Sequence, residues 1–492
     1  MFCPSHQNAK PSNRLRQSRS IALMSLGRLE MEAAAQMEYY VRRYQFFKRK
    51  VETTSRNHGR PKKGSFHMMH WHNCTKIKPN RHHYWLLIVS IATIFSAKDT
   101  AHGQDDPAGR TDGSIQTCDL TQEEINDGWI GLFDGDSTFG WRATSDANWK
   151  VDAGVISVSE GKGGLLRTTS QFDDFELKVQ FKIEADTNSG IFIRPSPKPR
   201  NPANDCYEIN LAQKKVSPFP TGTLVKRETG EDVSEGDSDW FDRWHELYIK
   251  ADGASIVVTV DGTETTNYSD PKGEKALGRG YIGLQLNSGL AQFKSIRLRP
   301  LNVAPMFNGS DLKGWKTNQK LASDFKVTDA GEMNILSGRG QIESETSFGD
   351  FVFSMQCKTN AEGLNSGVFF RCIPGDLMNG YESQIQNQFK DSDRSKPVDC
   401  GTGGIFRRSV SRRVNANDME WFSKTIIANG PRIAVWVNGY QVTDWSDQRK
   451  PNENPRRGQR LEAGTIIFQG HDPTTDILLK NIGARELQPR KR

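Results

Sequence analysis

Residues 173–194 read DDFELKVQFKIEADTNSGIFIR, and residues 349–371 read GDFVFSMQCKTNAEGLNSGVFFR. Within the first stretch, apolar residues occupy every second position across 175–183, with Glu, Lys and Gln between them. This alternation is typical of a half-buried antiparallel strand. The second stretch repeats the alternation across 351–355 and ends in the same Asn-Ser-Gly triplet, apolar run and Arg. We therefore predict two copies of one β-rich unit.

Other blocks on both sides of these stretches repeat in the same order. The five further pairs are GLFDGDSTFGW at 131–141 with PMFNGSDLKGW at 305–315, WKVDAGVI at 149–156 with FKVTDAGEM at 325–333, CYEINLA at 206–212 with GYESQIQ at 380–386, WHELYIKADGASIVVTVDG at 244–262 with WFSKTIIANGPRIAVWVNG at 421–439, and YIGLQLNSG at 281–289 with TIIFQGHDP at 465–473. The Asp-Gly and Asn-Gly dipeptides that close the fourth pair are strong β-hairpin signals. The pattern predicts an all-β chain with two tandem jelly-roll β-sandwich domains, at residues 128–301 and 304–488.

The N-terminal part of the chain differs from this body in charge. Residues 1–97 contain 17 Lys and Arg but only 4 Asp and Glu, out of 66 and 59 in the whole chain. The β-rich body is therefore mildly acidic, which argues against nucleic acid as a partner. Because only 35% of the residues are hydrophobic, a polytopic membrane protein is also excluded.

An apolar run, YWLLIVSIATIFSA at residues 84–97, follows basic residues and precedes small ones. This order is typical of a secretory signal peptide, and the run is shorter than a membrane span of about 20 residues. Because Met68 and Met69 lie just upstream, we expect translation to start there and residues 1–67 to be mis-assigned. If residues 1–67 are translated, the whole of 1–83 is expected to be a disordered basic extension. The alternative is an uncleaved membrane anchor. Both interpretations predict a secreted, periplasmic or cell-surface protein.

Residues 98–127 are predicted to form a linker, in which Thr-Gln-Glu-Glu at 121–124 fits a helix capping box. Five of the seven cysteines follow the apolar run, and none has the spacing of a zinc site. In an exported protein, we expect one or two disulfides, with Cys372 and Cys400 as the first pair to test.

The paired openings, the Asn-Ser-Gly blocks, the Tyr-Glu pairs and the closing Gln strands together resemble the 3-keto-disaccharide hydrolase domain family. The fold of that family is similar to the concanavalin A-like jelly roll, and the resemblance covers residues 128–301 and 304–488. It implies that a ketone at C3 of a sugar acidifies the proton on C2. A base removes this proton, the enolate expels the leaving group from C1, and water then adds.

The implied reaction differs from the two-carboxylate mechanism of ordinary glycosidases. It needs one base within reach of the C2 proton, and either hydrogen-bond donors or a divalent metal at the enolate oxygen. No cofactor other than such a metal is implied. The 3-keto substrate has to come from a separate sugar oxidoreductase, which is therefore the expected functional partner.

The matching strands supply the candidate site residues. Glu208 and Glu382 each follow Tyr and are the predicted catalytic bases, with His471 as a further base, proton donor or metal ligand. Asn210 and Gln384 lie two residues after the glutamates, so each shares a sheet face with its carboxylate. The predicted substrate-binding residues are Arg194, Arg371, Asn210, Gln384, Gln285 and Gln469.

Structural alternatives stay open for these residues. The glutamates could lie on a solvated face, the arginines could pair with them, and the Asn-Ser-Gly blocks could form a turn or bulge that aims the arginine. For the whole protein, a carbohydrate hydrolase is weighed against a non-catalytic glycan-binding protein and a partner-binding sandwich. Motifs of serine esterases, P-loop proteins, zincins and dinucleotide-binding enzymes are absent from the sequence.

Overall fold

The described part of the chain folds almost entirely into antiparallel β-sheets. The computed structural model describes residues 114–489, except residues 238, 274, 275 and 319. Within these residues, the helical elements are α1 (Gln122–Asn126) and a 3-10 turn at Trp240–Asp242. The strands form four sheets, two in each half of the described chain.

The first sandwich is built from an eight-stranded and a five-stranded sheet. The strands of the larger sheet are β1 (Ile130–Gly131), β3 (Lys150–Asp152), β4 (Val155–Val158), β6 (Phe175–Ile183), β9 (His245–Asp252), β10 (Ser255–Val260), β11 (Thr263–Ser269) and β13 (Ala291–Pro300). The smaller sheet contains β2 (Trp141–Ala143), β5 (Gly164–Thr168), β7 (Ser189–Ile193), β8 (Tyr207–Leu211) and β12 (Ile282–Leu286). Their orders are β11-β10-β9-β6-β13-β4-β3, with β1 beside β13, and β2-β5-β12-β7-β8.

The second sandwich also has an eight-stranded and a five-stranded sheet. The strands of its larger sheet are β14 (Ala304–Pro305), β16 (Asp324–Val327), β17 (Met333–Leu336), β19 (Phe351–Thr359), β22 (Phe422–Asn429), β23 (Arg432–Val437), β24 (Tyr440–Ser446) and β26 (Asp476–Glu486). The smaller sheet contains β15 (Trp315–Thr317), β18 (Gly340–Phe348), β20 (Ser366–Cys372), β21 (Tyr381–Ile385) and β25 (Gly464–Gly470). Their orders are β16-β17-β26-β19-β22-β23-β24, with β14 beside β26, and β15-β18-β25-β20-β21.

The two sandwiches have the same topology, because the strand order of each sheet is repeated when every strand number is raised by 13. The paired strands of the sequence repeat therefore occupy equivalent positions. This agreement confirms the prediction of an all-β fold with two tandem jelly-roll sandwiches.

The hydrophobic cores contain the apolar residues that alternate with polar ones along the strands. In β6, Val179, Phe181 and Ile183 are buried in the first core, while the polar residues between them are only partly buried. The tryptophans of the opening blocks are also buried, and their indole nitrogens donate to backbone carbonyls. Trp141 donates to Leu132 at 2.5 Å. Such a partner allows a polar ring nitrogen to be buried without the loss of a hydrogen bond.

The local turn and capping signals also have the expected geometry. Asp261 and Gly262 both have positive φ angles, of 48° and 81°, as a type I′ hairpin requires. The equivalent Asn-Gly turn of the second sandwich does the same, with φ angles of 49° and 75°.

At α1, the Thr121 side chain accepts from the Glu124 amide at 3.1 Å, and the Glu124 carboxylate accepts from the Thr121 amide at 3.2 Å. The predicted capping box is thus confirmed.

The two sandwiches pack against each other through apolar and charged contacts. Ile427 and Trp436 of the second sandwich join the core cluster of the first. The Trp436 indole donates to the Gly131 carbonyl at 2.8 Å, and Arg412 contacts Asp134 at 2.8 Å. Because these contacts are buried, the relative position of the sandwiches is tied to their cores.

The structure bears on the predicted disulfides but not on the predicted signal segment. The expected disulfides do not form among the described residues, where all five cysteines are free thiols; Cys372 packs instead with Phe369, Met378 and Ile467. The predicted signal segment at 84–97, the start site at Met68 or Met69 and the extension at 1–83 lie outside the described residues. Across the described range, no helix has the length and hydropathy needed to cross a membrane.

Candidate functional site

The predicted site residues of the Tyr-Glu blocks lie on the outer face of each five-stranded sheet. In β8, the alternate residues Tyr207, Ile209 and Leu211 enter the core. Glu208 and Asn210 therefore point to the opposite face, away from the core. Strand β21 repeats this arrangement in the second sandwich. Loops cover both outer faces and leave a cavity over each one.

The cavity of the first sandwich has a volume of about 700 Å³ and a basic rim. Its lining residues come from β5, β7, β8, β12 and the loop after β7, and include Gly164, Leu165, Phe192, Cys206, Glu208, Gln285 and Asn287, with Lys162, Lys198 and Arg200. The structure therefore brings together two of the residues predicted in this copy, Glu208 and Gln285.

Glu208 is buried in this cavity and bonded to an amide. The Gln285 Nε2 atom donates to Glu208 Oε1 at 3.0 Å. Burial raises the pKa of Glu208 to about 7, although the Gln285 hydrogen bond and the charge of Lys226 oppose this rise. A carboxyl with this pKa exchanges protons near neutral pH, which is the property required of a general base.

Asn210, a predicted substrate-binding residue, does not line the cavity. Although Asn210 shares a sheet face with Glu208, its amide nitrogen donates to the Phe219 carbonyl and its side chain is buried. The loop after β8 covers it and separates it from the cavity. The two-residue period of a strand predicts the face on which a residue lies. It does not predict which loop covers that face.

The cavity of the second sandwich is smaller, about 360 Å³, and holds more of the predicted residues. It is lined by Arg339, Asn365, Leu377, Met378, Asn379, Glu382, Gln384, Asp399, Phe406, Arg456, Gln469 and His471. All four non-arginine residues predicted in this copy, namely Glu382, Gln384, Gln469 and His471, thus meet in one cavity.

Glu382 has an electrostatic environment that balances opposing effects. Its pKa is raised to about 7, mainly by burial and also by the nearby Asp399 carboxylate. Arg456 opposes both effects, with its Nη2 atom 3.5 Å from Glu382 Oε2. The Lys424 and Arg407 cations also oppose the rise. The carboxylate is therefore held close to its protonation midpoint at neutral pH.

Two amide side chains present free acceptors beside Glu382. The Gln384 Nε2 atom donates to Asn365 at 2.9 Å and to Asp399 at 3.2 Å. The Gln469 Nε2 atom lies 3.3 Å from the sulfur of Met378. The Oε1 atoms of both glutamines are buried, and no group in the described residues donates a hydrogen bond to them. Buried acceptors of this kind are suited to sugar hydroxyls, which can supply the missing donors.

His471 lies at the rim of the second cavity. Its ring is 39% exposed, and its Nδ1 atom lies 2.8 Å from Asp472 Oδ2. That carboxylate orients the ring and leaves Nε2 for other partners. No equivalent histidine exists in the first sandwich, where Asn287 occupies the matching position.

The Asn-Ser-Gly blocks support the site rather than forming a turn. Ser189 and Ser366 each donate to the backbone carbonyl of the matching site glutamine, at 2.7 Å in both cases. A Cβ at Gly367 would lie 2.8 Å from Glu382 Oε1, so only glycine leaves room for the carboxylate to lie across the strand. The serine and glycine of each triplet are the first residues of β7 and β20, so the strands begin where a turn or bulge was predicted.

Arg194 and Arg371, the predicted substrate-binding arginines, do not line the cavities. Both guanidinium groups are fully buried outside the cavities. Arg194 donates to three backbone carbonyls and to Asp174 Oδ1 at 2.8 Å. Arg371 repeats this pattern with Asp350 at 3.0 Å. Neither arginine pairs with a site glutamate. Instead, the hydrogen bonds of each arginine hold together backbone segments at one end of the sheets.

Those two aspartates also connect the sandwiches, which explains why the arginines are buried. Asp174 accepts from Arg485 of the second sandwich at 3.0 Å. In the opposite sense, Asp350 accepts from Arg279 of the first sandwich at 2.8 Å. Each buried arginine therefore holds a carboxylate that is shared with the other sandwich.

Several cavity residues were not predicted from the sequence, above all Arg456, Asp399 and Arg339. They come from loops outside the repeated blocks, so neither strand period nor the internal repeat indicates them. The one usable signal is that loops after equivalent strands of a repeat cover the same face. Among the described residues, no cluster of three or more His, Cys, Asp or Glu side chains is arranged as a metal site.

Comparisons with known proteins agree with the repeat. The model of the 3-keto-alpha-glucoside-1,2-lyase-like domain matches residues 128–299 and 302–485. A protein of Bacteroides thetaiotaomicron named 3-keto-disaccharide hydrolase is 33% identical over an alignment of 78 residues, with 13% of this chain covered. The matched part spans only 27% of the length of that relative.

Among solved structures, similarity is seen to a proposed glycosyl hydrolase from Parabacteroides distasonis. The identity is 20%, with 38% of this chain and 99% of that chain covered, at a TM-score of 0.33. A carbohydrate-binding module of family 66 from Bacillus subtilis is 14% identical, with 32% of this chain and 95% of that chain covered, at a TM-score of 0.24. Similarities at this level carry no argument about activity.

Proposed function

Because the chain belongs to the 3-keto-alpha-glucoside-1,2-lyase-like domain family, in two tandem copies, we propose that it is an enzyme that cleaves 3-keto-glycosides. The principal catalytic cleft is the cavity of the second sandwich. The observation that carries this proposal is the buried Glu382 carboxyl, with a pKa of about 7, in one cavity with two glutamine oxygens that lack donors. The name of the Bacteroides relative supports a disaccharide as substrate.

The proposed reaction begins with the removal of a proton. Ionised Glu382 takes the proton from C2 of the sugar, and the electron pair moves toward the C3 ketone oxygen to form an enolate. Arg456 is the nearest cation to Glu382 and can stabilise the developing negative charge. Glu382 becomes a neutral carboxylic acid in this step, which its raised pKa favours.

Cleavage and hydration complete the cycle. The enolate re-forms the ketone as the bond from C1 to the glycosidic oxygen breaks, which leaves a double bond between C1 and C2. The leaving oxygen needs a proton, and His471 at the rim is positioned to supply it. Water then adds its oxygen to C1 and a proton to C2, so the products are a 3-keto sugar and the free alcohol.

For the first sandwich, we propose that its cavity binds glycans and catalyses the reaction more weakly than the second cavity does. Its cavity is wider, it has no histidine at the matching position, and Asn210 is covered by a loop. Glu208 and Gln285 nevertheless line this cavity together, and the Gln285 amide donates to the Glu208 carboxylate. Lectin-like binding in both clefts is the alternative for the whole protein.

Export and the source of the substrate also belong to this proposal. The apolar segment at 84–97, with basic residues before it, supports export to the periplasm, the cell surface or the medium. An oxidoreductase that oxidises sugars at C3 must supply the ketone, because the described residues offer no dinucleotide-binding motif.

The decisive experiment incubates the full chain with a 3-keto-disaccharide in D₂O. We expect free sugar, and one deuterium at C2 of the recovered 3-keto product, because C2 loses its proton and regains one from solvent. Mass spectrometry and NMR measure the deuterium. Cleavage with C2–H intact would reject the elimination, and binding of glycans without any cleavage would favour the lectin-like alternative.

A further inference from the structure

A second, smaller cavity lies next to the catalytic cavity of the second sandwich. Its volume is about 110 Å³, and three arginines line it: Arg407, Arg408 and Arg456. Glu382, Phe406 and Arg456 line both cavities, so the two are neighbours separated by the Arg456–Glu382 pair. Its size suits a substituent of a sugar, since the neighbouring cavity has more than three times its volume.

The Arg408 guanidinium connects the three arginines of this cluster through backbone carbonyls. Arg408 donates to the carbonyl of Arg407 at 2.9 Å and to the carbonyl of Arg456 at 2.8 Å. Arg456 also donates to the Met378 carbonyl at 2.8 Å. The Arg407 guanidinium lies 5.1 Å from the Phe406 ring centre, and no carboxylate of the described residues lies within 4 Å of it. The Arg407 and Arg456 cations thus both act on the Glu382 carboxylate.

The backbone that carries Arg407 is in an unfavourable conformation. Arg407 has a φ angle of 57°, a left-handed conformation that is uncommon for a bulky residue. The turn is held in place because the Phe406 amide donates to the Glu382 carbonyl at 2.9 Å and Ser409 bonds back to Ile405 at 2.9 Å. Strain of this kind persists where the surrounding structure fixes a functional group.

The first sandwich has the same turn, which provides an internal comparison. Lys226 occupies the matching position with a φ angle of 61°, and Val225 donates to the Glu208 carbonyl at 3.0 Å. The next residue differs in its contacts. Arg227 lies 3.3 Å from Asp270, and its side chain is only 6% exposed, so it forms a buried ion pair and does not face a cavity of this kind. The cluster of three arginines is therefore a feature of the second sandwich.

From this geometry we infer that the second cleft selects a glycoside that carries an anionic group, and that the arginine cluster binds this group beside the reacting sugar ring. The inference rests on the proposed function, whose substrate it narrows to sugars with a carboxylate, sulfate or phosphate. Guanidinium groups recognise such planar or tetrahedral oxyanions by paired hydrogen bonds. A cationic cavity also concentrates anions in a body that is otherwise mildly acidic.

Titration calorimetry with the full chain tests binding. The probes are methyl α-D-glucuronide, glucose 6-sulfate and glucose 6-phosphate, with methyl α-D-glucoside as the neutral reference. We expect at least one anionic probe to bind roughly ten-fold tighter than the reference and to lose that advantage in Arg407→Gln. The matched control is Arg457→Gln, which removes the same charge from an exposed neighbour outside both cavities.

Each outcome decides between the proposals. If the neutral glucoside binds as tightly as every anionic probe, or if Arg457→Gln weakens binding as much as Arg407→Gln, the inference is overturned. If neutral and anionic 3-keto-glycosides are cleaved with equal kcat/KM, the inference also fails while the proposed function stands. If neither is cleaved but anionic sugars still need Arg407, the proposed function fails and anion recognition stands.

Discussion

The two clefts of this protein have the same strands but different walls. In both, a buried glutamate follows Tyr in the edge strand of the smaller sheet, next to a glutamine from the closing strand. The first cleft is about twice as large and contains Glu208 and Gln285 alone among the predicted residues. The second adds an amide, a histidine and arginines. The comparison indicates that the sheets position the proposed base, whereas the loops determine which side chains surround it.

The largest expected effect separates the two glutamates. Glu382→Gln should lower kcat by about 10²–10⁴-fold, which is the usual contribution of a general base. Glu208→Gln should lower it by less than ten-fold, because the first cleft is not the principal site. Steady-state kinetics with a 3-keto-disaccharide measure both, with the exposed Glu345→Gln as control. A larger loss in Glu208→Gln would reverse the comparison.

A smaller effect is expected at the glycines beneath the glutamates. In Gly367→Ala, the new Cβ would lie 2.8 Å from the carboxylate of Glu382, which must move. We expect kcat/KM to fall about ten-fold, since displacement of a reacting group is costly. The closest atoms at Gly190 are 3.1–3.3 Å away, so Gly190→Ala should have a weaker effect. Equal losses in both variants would contradict this account.

The third prediction concerns a lysine that the first sandwich lacks. Lys424 is fully buried and donates to the carbonyls of Ser383 and Gln384, whereas Leu247 occupies the matching position. Burial lowers the pKa of Lys424 to about 7, from 10.5. Between these pH values, Lys424 binds a proton in the unfolded chain but not in the folded one, so this group by itself should raise the unfolding free energy with pH, by about 1 kcal/mol per unit.

Lys424→Met removes the group that titrates, so its slope of unfolding free energy against pH should be lower than the wild-type slope by this amount. Denaturant unfolding at pH 7–10.5 measures it, and Leu247→Met in the first sandwich is the matched control, which should keep the wild-type slope. A slope in Lys424→Met that equals the wild-type slope would assign the pH dependence to another group.

The smallest expected effect is a shift in the pH profile. Since Glu382 must be ionised to accept the C2 proton, kcat/KM should rise with pH and level off above about 7. Arg456→Gln removes a cation that lowers the pKa of Glu382, so its profile should move to higher pH. The corresponding change in the first cleft, Gln285→Leu, should leave the profile in place. A profile of Arg456→Gln that moves to lower pH would contradict the assignment.

The candidate site was predictable where it depends on strands and not where it depends on loops. Glu382 and Gln384 were found because residues two apart in a strand share a face. The buried positions of Arg194 and Arg371 were not predictable, because a charged residue at the end of a strand looks the same in sequence whether it turns to a cavity or to a buried aspartate. Arg456 follows Glu382 by more than 70 residues, and only folding brings them within 3.5 Å.

The sequence by itself determined the all-β class, the internal repeat, the hairpin turns and the capping box, because each of these depends on residues that are close along the chain. Tertiary structure alone decided which amides reach a cavity, how large each cavity is and where the arginines gather. Those properties depend on the paths of loops over the outer faces and on the contacts between sandwiches. Their energies come from packing between distant segments, which no local pattern encodes.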